Sequence, residues 1–202
     1  MSFLKHITVL HGTGVGGGSL VYANTLPTPG DPFFASGDWA RLADWQAELA
    51  RHYATARRML GATTNPLRTR GDEVLESIGR DIGRAEHFQP TEVAVYFGKP
   101  GERADDPYFG GAGPERSGCI HCGGCMTGCR FNAKNTLDRN YLWLAERLGL
   151  TISAETEVTA VRPGPSGGYR IEAKRGLGWF REPVVFSADR VVFAGGVMGT
   201  VP

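Results

Sequence analysis

The sequence predicts an α/β fold in which a glycine-rich loop follows a short first strand and antiparallel strands occupy the C-terminal quarter. Three observations support this prediction. The β-branched run His6–Leu10 leads directly into the glycine-rich stretch GTGVGGGS. Apolar residues at helical spacing fill much of the middle of the chain. From Leu150 onward, short alternating runs bounded by turn residues replace the helical spacing, which indicates strands.

Composition and charge narrow the class of protein. The chain has 202 residues, of which 41% are hydrophobic and 21% charged, so we expect a soluble globular protein of one domain or two small ones. The net charge of +1 gives no electrostatic basis for nucleic-acid binding. The sequence has no apolar run of transmembrane length and no signal-peptide core, so we predict no transmembrane segment and a cytoplasmic location.

The first glycine-rich stretch, Gly12–Gly17, formally satisfies the dinucleotide pattern G-x-G-x-x-G after a strand. That use of the pattern requires a full helix next and an acidic residue about twenty positions on. Only Ser19–Leu26 is available before Pro27, and Asp31 lies in a proline-rich loop. The context favours a glycine-lined loop and short helix whose backbone approaches a cofactor, over a dinucleotide fingerprint or a simple tight turn.

Helical spacing predicts three helices, whose apolar stripes we interpret as core packing. The first starts at the cap Ser36-Gly37-Asp38 and ends at Gly61, and the third is capped by Asn135 and Asp138. The three stripes are Leu42, Trp45, Leu49 and Tyr53; Val74, Ile78 and Ile82; and Leu137, Tyr141, Leu144 and Leu148.

Strands are predicted before and after the third helix. Glu92–Phe97 alternates as a half-buried strand would, and it precedes a long loop, Lys99–Ser117. After Leu150 the predicted strands form an antiparallel meander and then one strand that returns to the main sheet. They are Thr151–Ser153, Thr156–Arg162, Tyr169–Lys174, Val184–Phe186 and the returning strand Arg190–Ala194.

All four cysteines of the chain, Cys119, Cys122, Cys125 and Cys129, fall in one eleven-residue window. Their spacing, C-x2-C-x2-C-x3-C, is that of bacterial ferredoxins, although Arg130 stands where ferredoxins carry proline. Zinc sites usually separate two cysteine pairs by a dozen or more residues. Three interpretations stay open at this point: an iron–sulfur cluster, thiols without a metal, or zinc.

Several stretches in a fixed order resemble one known family. HGTGVGGGSLVYAN, residues 11–24, resembles the second flavin-binding signature of the glucose–methanol–choline (GMC) oxidoreductases, and is most similar to their bacterial cholesterol-oxidase-like branch. Three later stretches agree, namely GCIHCGGCMTGCRFNAKNTLDRNYL, ETEVTAVRP and DRVVFAGGVMGT. Together the matching stretches extend over essentially the whole chain.

The resemblance implies a noncovalent FAD and oxidation of a CH–OH group by hydride transfer to flavin N5. It implies a sterol-like secondary alcohol as substrate, with oxygen or an electron-carrier protein as acceptor. Tyr22 stands where many members carry asparagine or histidine. By position, the residues that would contact the cofactor are Val15, Gly16, Gly17, Gly18 and Ser19 along the flavin, Tyr22, Ala23 and Asn24 beside its ring, Val158 at the adenine, and Ala194 and Gly195 near the dinucleotide.

The resemblance also implies a domain organisation. Residues 1–149 would be the flavin-facing part of a Rossmann-like FAD-binding domain, with a helical insert and a cysteine-rich loop at 118–130. Residues 150–202 would be its meander and returning strand. The family's GxGxxG unit would precede Met1 by roughly a hundred residues, and its catalytic histidine and asparagine would lie beyond Pro202. We therefore expect an internal fragment that binds FAD weakly and does not turn over alone.

Two alternatives follow from the cysteine run. One is an FAD-dependent alcohol or sugar dehydrogenase in which an iron–sulfur cluster relays electrons away from the flavin. The other is a small ferredoxin-like electron carrier without flavin, although that alternative leaves the glycine-rich loop unexplained.

Overall fold

The computed structural model describes residues 2–3 and 5–200 of the chain, so the predicted domain limits Met1 and Pro202 lie outside the described residues. Helices and strands are both present, and the chain divides into two compact units, residues 1–150 and 151–202. The helices are α1 (Asp31–Phe34), α2 (Trp45–Met59), α3 (Arg70–Asp81), α4 (Tyr141–Arg147) and α5 (Gly196–Thr200). The strands are β1 (Ser2–Phe3), β2 (Thr8–Val9), β3 (Thr63–Thr64), β4 (Glu92–Val93), β5 (Arg103–Ala104), β6 (Arg116–Ser117), β7 (Thr156–Pro163), β8 (Tyr169–Arg175) and β9 (Glu182–Ala188).

The first unit contains very little regular sheet. Within the described residues, its six strands have two residues each and form three antiparallel pairs, β1–β2, β3–β4 and β5–β6. Its buried core is a short stretch of β4 and the residues after it, Val93, Ala94 and Val95, together with Ala133. The predicted burial of 92–97 is therefore confirmed at Val93 and Val95, but only Glu92 and Val93 join a ladder, and Val95 forms an isolated bridge with Lys134.

The first two predicted helices are confirmed as α2 and α3, but the interpretation of their apolar stripes as core packing is wrong, because neither helix contains a buried residue and Leu42, Val74, Ile78 and Ile82 are 43% to 75% exposed. Helix α2 begins after Asp44, whose carboxylate accepts a hydrogen bond from the Ala47 amide at 3.1 Å. The predicted cap at 36–38 is wrong, because Gly37 precedes a separate 3-10 turn. Helix α3 begins with a capping box between Thr69 and Asp72. Among the described residues, no helix is both long enough and apolar enough to cross a membrane.

The third helix, α4, is shorter than predicted. A 3-10 turn at Leu137–Arg139 comes first, and Asn140 caps α4. The predicted capping pair, Asn135 and Asp138, is therefore wrong. Asn135 is buried, and its backbone amide donates to the Ala94 carbonyl at 2.8 Å, so it belongs to the core.

The second unit is built on a three-stranded antiparallel sheet in the order β7–β8–β9, which confirms three of the predicted strands. The central strand β8 buries Ile171 and Ala173. A bulge between Val158 and Ala160 leaves Thr159 outside the register with β8.

Two predicted strands of this region do not form. Thr151–Ser153 and Arg190–Ala194 are irregular, although the latter leads into α5. A β-strand is stabilised by its neighbour, and neither segment pairs with another strand among the described residues. Val192 and Phe193 are accordingly 87% and 64% exposed.

Candidate functional site

The glycine-rich loop presents bare backbone on one face. Gly16 and Gly17 have positive φ angles of 104° and 55°, and they lead into a 3-10 turn, Gly17–Leu20. A Cβ atom added at Gly17 or Gly18 would meet nothing within 4 Å, whereas one at Gly16 would approach Asp138 Oδ1 at 3.4 Å. The loop therefore packs on its inner side at Gly16 and leaves Gly17 and Gly18 open to a ligand.

Hydrogen bonds tie this loop to the segment 134–137. The Ser19 hydroxyl donates to the Gly16 carbonyl at 2.6 Å and accepts from the Leu137 amide at 2.9 Å. The Tyr22 hydroxyl donates to the Asn135 carbonyl at 2.7 Å. Burial and, to a smaller extent, the nearby Cys125 thiol raise the pKa of Tyr22 to about 12 against the opposing charge of Arg116, so the phenol is a neutral donor at physiological pH.

Lys134 joins the glycine-rich loop to the cysteine loop. Its side chain is almost fully buried, and Nζ donates to the Leu20 carbonyl at 3.0 Å and to the Cys125 carbonyl at 2.8 Å. Nζ also lies 4.6 Å from the centre of the Tyr22 ring. Burial lowers the pKa of Lys134, although the thiols of Cys125 and Cys129 oppose this effect. We call this arrangement the Lys134 clamp.

The predicted flavin residues divide into an exposed set and a buried set. Val15, Gly17, Gly18 and Ala23 are exposed, whereas Gly16 and Asn24 are buried and Ser19 and Tyr22 are partly buried. The backbone of Asn24 has a φ of 60°, and its carbonyl accepts from the Ala94 amide at 2.8 Å. Asn24 and Tyr22 therefore shape the loop from behind, and contact with a cofactor at this loop stays a prediction.

The other predicted cofactor residues belong to the second unit. Val158 is 54% exposed and lies at the start of the β7 bulge. Ala194 and Gly195 are exposed, and the Gly195 amide donates to the Thr200 hydroxyl at 2.9 Å at the start of α5. Their roles at the adenine and the dinucleotide also stay predictions.

All four cysteines line one small cavity of about 20 Å³, which we call the thiol cavity. Apolar side chains including Val95, Ile120 and Phe131 complete its wall. The backbone amide of His121 donates to Cys119 Sγ at 3.3 Å, and the His121 ring stacks on Phe97. No group of three or more His, Cys, Asp or Glu residues within the described part of the chain is arranged to hold a metal ion. The geometry therefore does not support an iron–sulfur or zinc site at these cysteines.

The thiols differ in their electrostatic surroundings. Burial raises the pKa of Cys125, and the neighbouring thiols of Cys119 and Cys129 raise it further. Burial would also raise the pKa of Cys129, but the backbone amides of Lys134, Ala133 and Phe131 lower it, and the Lys134 charge adds to their effect. These contacts outweigh burial, so the pKa of Cys129 lies below its ordinary value.

A larger cavity of about 350 Å³ also has Cys129 in its wall, and we call it the open cavity. It extends from Leu20 of the glycine-rich loop to Thr127 and Cys129 of the cysteine loop. The rest of its wall is polar or basic: Gly128, Arg130, Asn132, Lys134, Thr136, Asp138 and Arg139. Sequence reasoning missed this cavity and the Lys134 clamp, since a lysine that follows a cysteine loop carries no local sign of burial.

Comparison with known proteins finds curated relatives of one kind. The chain is 44% identical over 203 residues to cholesterol oxidases of two Mycobacterium tuberculosis strains, a match that covers 98% of this chain and 35% of each relative. It is 42% identical over 210 residues to a cholesterol oxidase of Acinetobacter baumannii, which covers 99% of this chain and 38% of the relative. The chain thus spans little more than a third of the length of the curated relatives it matches. No protein-family model matches the chain.

Proposed function

This chain belongs to the cholesterol-oxidase-like branch of the GMC oxidoreductases, and we propose that it supplies the flavin-facing part of an FAD-dependent enzyme that oxidises a sterol-like alcohol. The observation that supports the proposal most directly is the open face of Gly17 and Gly18, on a loop that the relatives' similarity also covers. The resemblance and the comparisons do not favour the electron-carrier alternative.

The residues at the glycine-rich loop fit a flat, polyhydroxylated cofactor. Gly17 and Gly18 leave room for a planar group against the backbone, because neither would have a neighbour within 4 Å of an added Cβ. Asp138 Oδ1 lies beside Gly16, is buried, and has no hydrogen-bond partner among the described residues. A buried acceptor of this kind is suited to a ligand hydroxyl. Val15, Gly17, Gly18 and Ala23 are the exposed residues that would contact FAD.

In the proposed reaction, bound FAD supplies a hydride acceptor for the carbinol carbon of the alcohol. The part of the chain described by the structure contributes position and shape. Ser19 and Tyr22 fix the loop through their hydrogen bonds to Leu137 and Asn135, and Lys134 neutralises the carbonyl dipoles of Leu20 and Cys125. A loop held rigid in this way would keep its open face in one orientation and exclude water behind it.

We propose a sterol-like secondary alcohol as substrate and oxygen as electron acceptor, on the basis of the relatives' identity as cholesterol oxidases. A cytoplasmic location stays a prediction from the sequence. Val158, Ala194 and Gly195 remain the proposed contacts for the adenine half of the cofactor. These assignments concern the enzyme to which the chain belongs.

The test compares two glycines that share a backbone conformation. Gly17 and Gly83 have φ angles of 55° and 67°, and an added Cβ meets nothing within 4 Å at either position. Alanine at either site carries a similar backbone cost of about 1 kcal/mol, but only Gly17→Ala would place a methyl group on the proposed cofactor face. We expect Gly17→Ala to weaken FAD binding at least tenfold and Gly83→Ala to leave it unchanged, measured by flavin fluorescence titration.

Two results of that titration would contradict the proposal. Equal FAD affinity in both variants would remove the glycine-rich loop from the cofactor site. Failure of the full-length enzyme that contains this chain to bind FAD or to form peroxide with cholesterol would contradict the enzyme assignment itself.

The iron–sulfur relay needs its own assay, because the geometry does not support it. Iron and acid-labile sulfide would be measured on the purified protein and on Cys122→Ala. Stoichiometric iron and sulfide in the unmodified protein, with less of both in the variant, would support the iron–sulfur relay after all. Absence of iron and sulfide from both proteins would mean that the four thiols hold no cluster.

A further inference from the structure

Cys129 lies between the two cavities of the site. It lines the thiol cavity together with Cys119, Cys122 and Cys125, and it also lines the open cavity. The open cavity reaches Leu20, which belongs to the glycine-rich loop proposed to face the flavin. The open cavity thus gives a small molecule released at that loop a route to Cys129, the one cysteine among the residues that line it.

The surroundings of Cys129 favour a nucleophilic sulfur. The backbone amides of Phe131, Ala133 and Lys134, together with the Lys134 ammonium group, hold the pKa of Cys129 below its ordinary value. Amide donors and a cation stabilise negative charge on sulfur, and the thiolate is the form that attacks an oxidant. The tertiary fold thus singles out one of four cysteines that the sequence presents as equivalent.

Two further thiols are available to react with this sulfur. Cys119 and Cys125 are partly buried in the same thiol cavity, and Cys125 interacts electrostatically with both Cys119 and Cys129. Cys122, by contrast, is exposed. The two partly buried thiols are the candidates for a partner of Cys129.

We propose that Cys129 is a site of oxidation by hydrogen peroxide, which enters through the open cavity, and that it then forms a disulfide with Cys119 or Cys125. The inference rests on the proposed function in one respect, because reoxidation of a flavin by oxygen is the source of the peroxide. The chemistry at the thiols is otherwise independent of that source.

The proposed steps balance. The Cys129 sulfur attacks one peroxide oxygen, the O–O bond breaks, and one water leaves, which gives a sulfenic acid. The neighbouring thiol attacks that sulfur, the S–S bond forms, the S–O bond breaks, and a second water leaves. Two thiols lose two electrons and two protons in total, and one peroxide is reduced to two waters.

A single peptide reports on all four thiols. No lysine or arginine lies between Arg116 and Arg130, so trypsin releases residues 117–130 with every cysteine of the chain. The reduced protein would be treated with an equimolar amount of hydrogen peroxide, alkylated, digested and analysed by mass spectrometry. We expect two of the four thiols to become protected from alkylation, and dithiothreitol to restore them.

Matched serine variants test the assignment to Cys129. Cys122→Ser removes the exposed thiol and should keep the disulfide, whereas Cys129→Ser should leave its three remaining thiols open to alkylation. Dimedone added to the unmodified protein with peroxide should label Cys129, which tests the proposal even if the variant does not fold. A disulfide in Cys129→Ser, or dimedone on another cysteine, would overturn it, as would bound iron or zinc with four unreactive thiols.

A final arm separates the thiol chemistry from the proposed enzyme. In the full-length enzyme that contains this chain, cholesterol and oxygen replace added peroxide, with and without catalase. A disulfide that forms without catalase and is abolished by catalase supports the flavin as the peroxide source. A disulfide with added peroxide but not with cholesterol would contradict the proposed function while the Cys129 assignment stands, and no disulfide in either arm would overturn the Cys129 assignment.

Discussion

Residues 1–150 and 151–202 are held together in different ways. The second unit is built around one antiparallel ladder in which neighbours in sequence are neighbours in space. The first unit has only two-residue strand pairs, and its glycine-rich loop is fixed by side chains that reach backbone atoms 113 to 118 residues away. The comparison teaches that regular hydrogen bonding stabilises the meander, whereas a few long-range polar contacts determine the shape of the candidate site.

Replacement of Lys134 should cause the largest loss of stability, and it tests this contrast directly. Lys134→Met keeps most of the side-chain volume but leaves the buried Leu20 and Cys125 carbonyls without their donor. We expect the free energy of unfolding to fall by about 3 kcal/mol, measured by urea denaturation. Lys174→Met, on the exposed part of β8, is the matched control and should change it by less than about 0.5 kcal/mol. Equal losses of stability in the two variants would contradict the contrast between the two units.

A truncation in the central strand tests the other side of the contrast. Ile171 is buried in β8, so Ile171→Ala should cost about 2 kcal/mol and accelerate amide hydrogen exchange throughout β7, β8 and β9. Val185 on β9 is 48% exposed, and Val185→Ala should have a smaller effect. If exchange accelerated only at residue 171 and its immediate neighbours, the ladder would not behave as one cooperative unit.

The smallest loss of stability is expected for replacement of Asp106, whose carboxylate organises a loop of the first unit. It accepts hydrogen bonds from the amides of Tyr108, Phe109, Gly111 and Gly113 at 2.8 to 3.0 Å. Asp106→Ala should cost about 1 kcal/mol at neutral pH, since the group is only partly buried. Asp105→Ala, at the exposed preceding residue, should be nearly neutral when both are compared by thermal unfolding.

The same carboxylate predicts a dependence on pH. Burial would raise the pKa of Asp106, but the four amides outweigh burial and hold it below the ordinary value of 3.8. A lowered pKa in the folded state contributes stability that is present above 3.8 and is lost as the pH falls through the lower folded value. Asp106→Ala should therefore show a weaker loss of stability in acid than the unmodified protein. An unchanged acid profile would remove Asp106 from the account of loop stability.

The sequence predicted those features that depend on neighbouring residues. Alternation and turns identified the strands at 156, 169 and 184, and helical spacing identified α2 and α3, because both patterns are repeated within a few residues. The prediction of a strand at 190–194 was wrong for a physical reason. The same alternation forms a strand only where a partner strand is adjacent. The GMC resemblance singled out the glycine-rich loop as the candidate cofactor site, and it predicted the family to which the relatives belong.

The rest of the candidate site depends on contacts that no local pattern encodes. Lys134 resembles an ordinary surface lysine in the sequence, yet its side chain is buried between two loops. The cysteine spacing suggested ligands, but it could not show that Cys129 would border a second cavity. Asn135 and Asp138 had the spacing of a helix cap, but Asn140 caps the helix. Asn135 instead donates its backbone amide to Ala94, and Asp138 lies beside Gly16.

The Lys134 clamp also has a consequence for the order of folding. Closing a chain of more than a hundred residues costs conformational entropy that local contacts do not repay, so contacts of this separation usually form late. The Lys134–Leu20 contact spans 114 residues, and the Tyr22–Asn135 contact spans 113. The glycine-rich loop would therefore acquire its open face only after the segment around residue 134 is in place. A cofactor bound to that face would slow unfolding by trapping a late step of assembly.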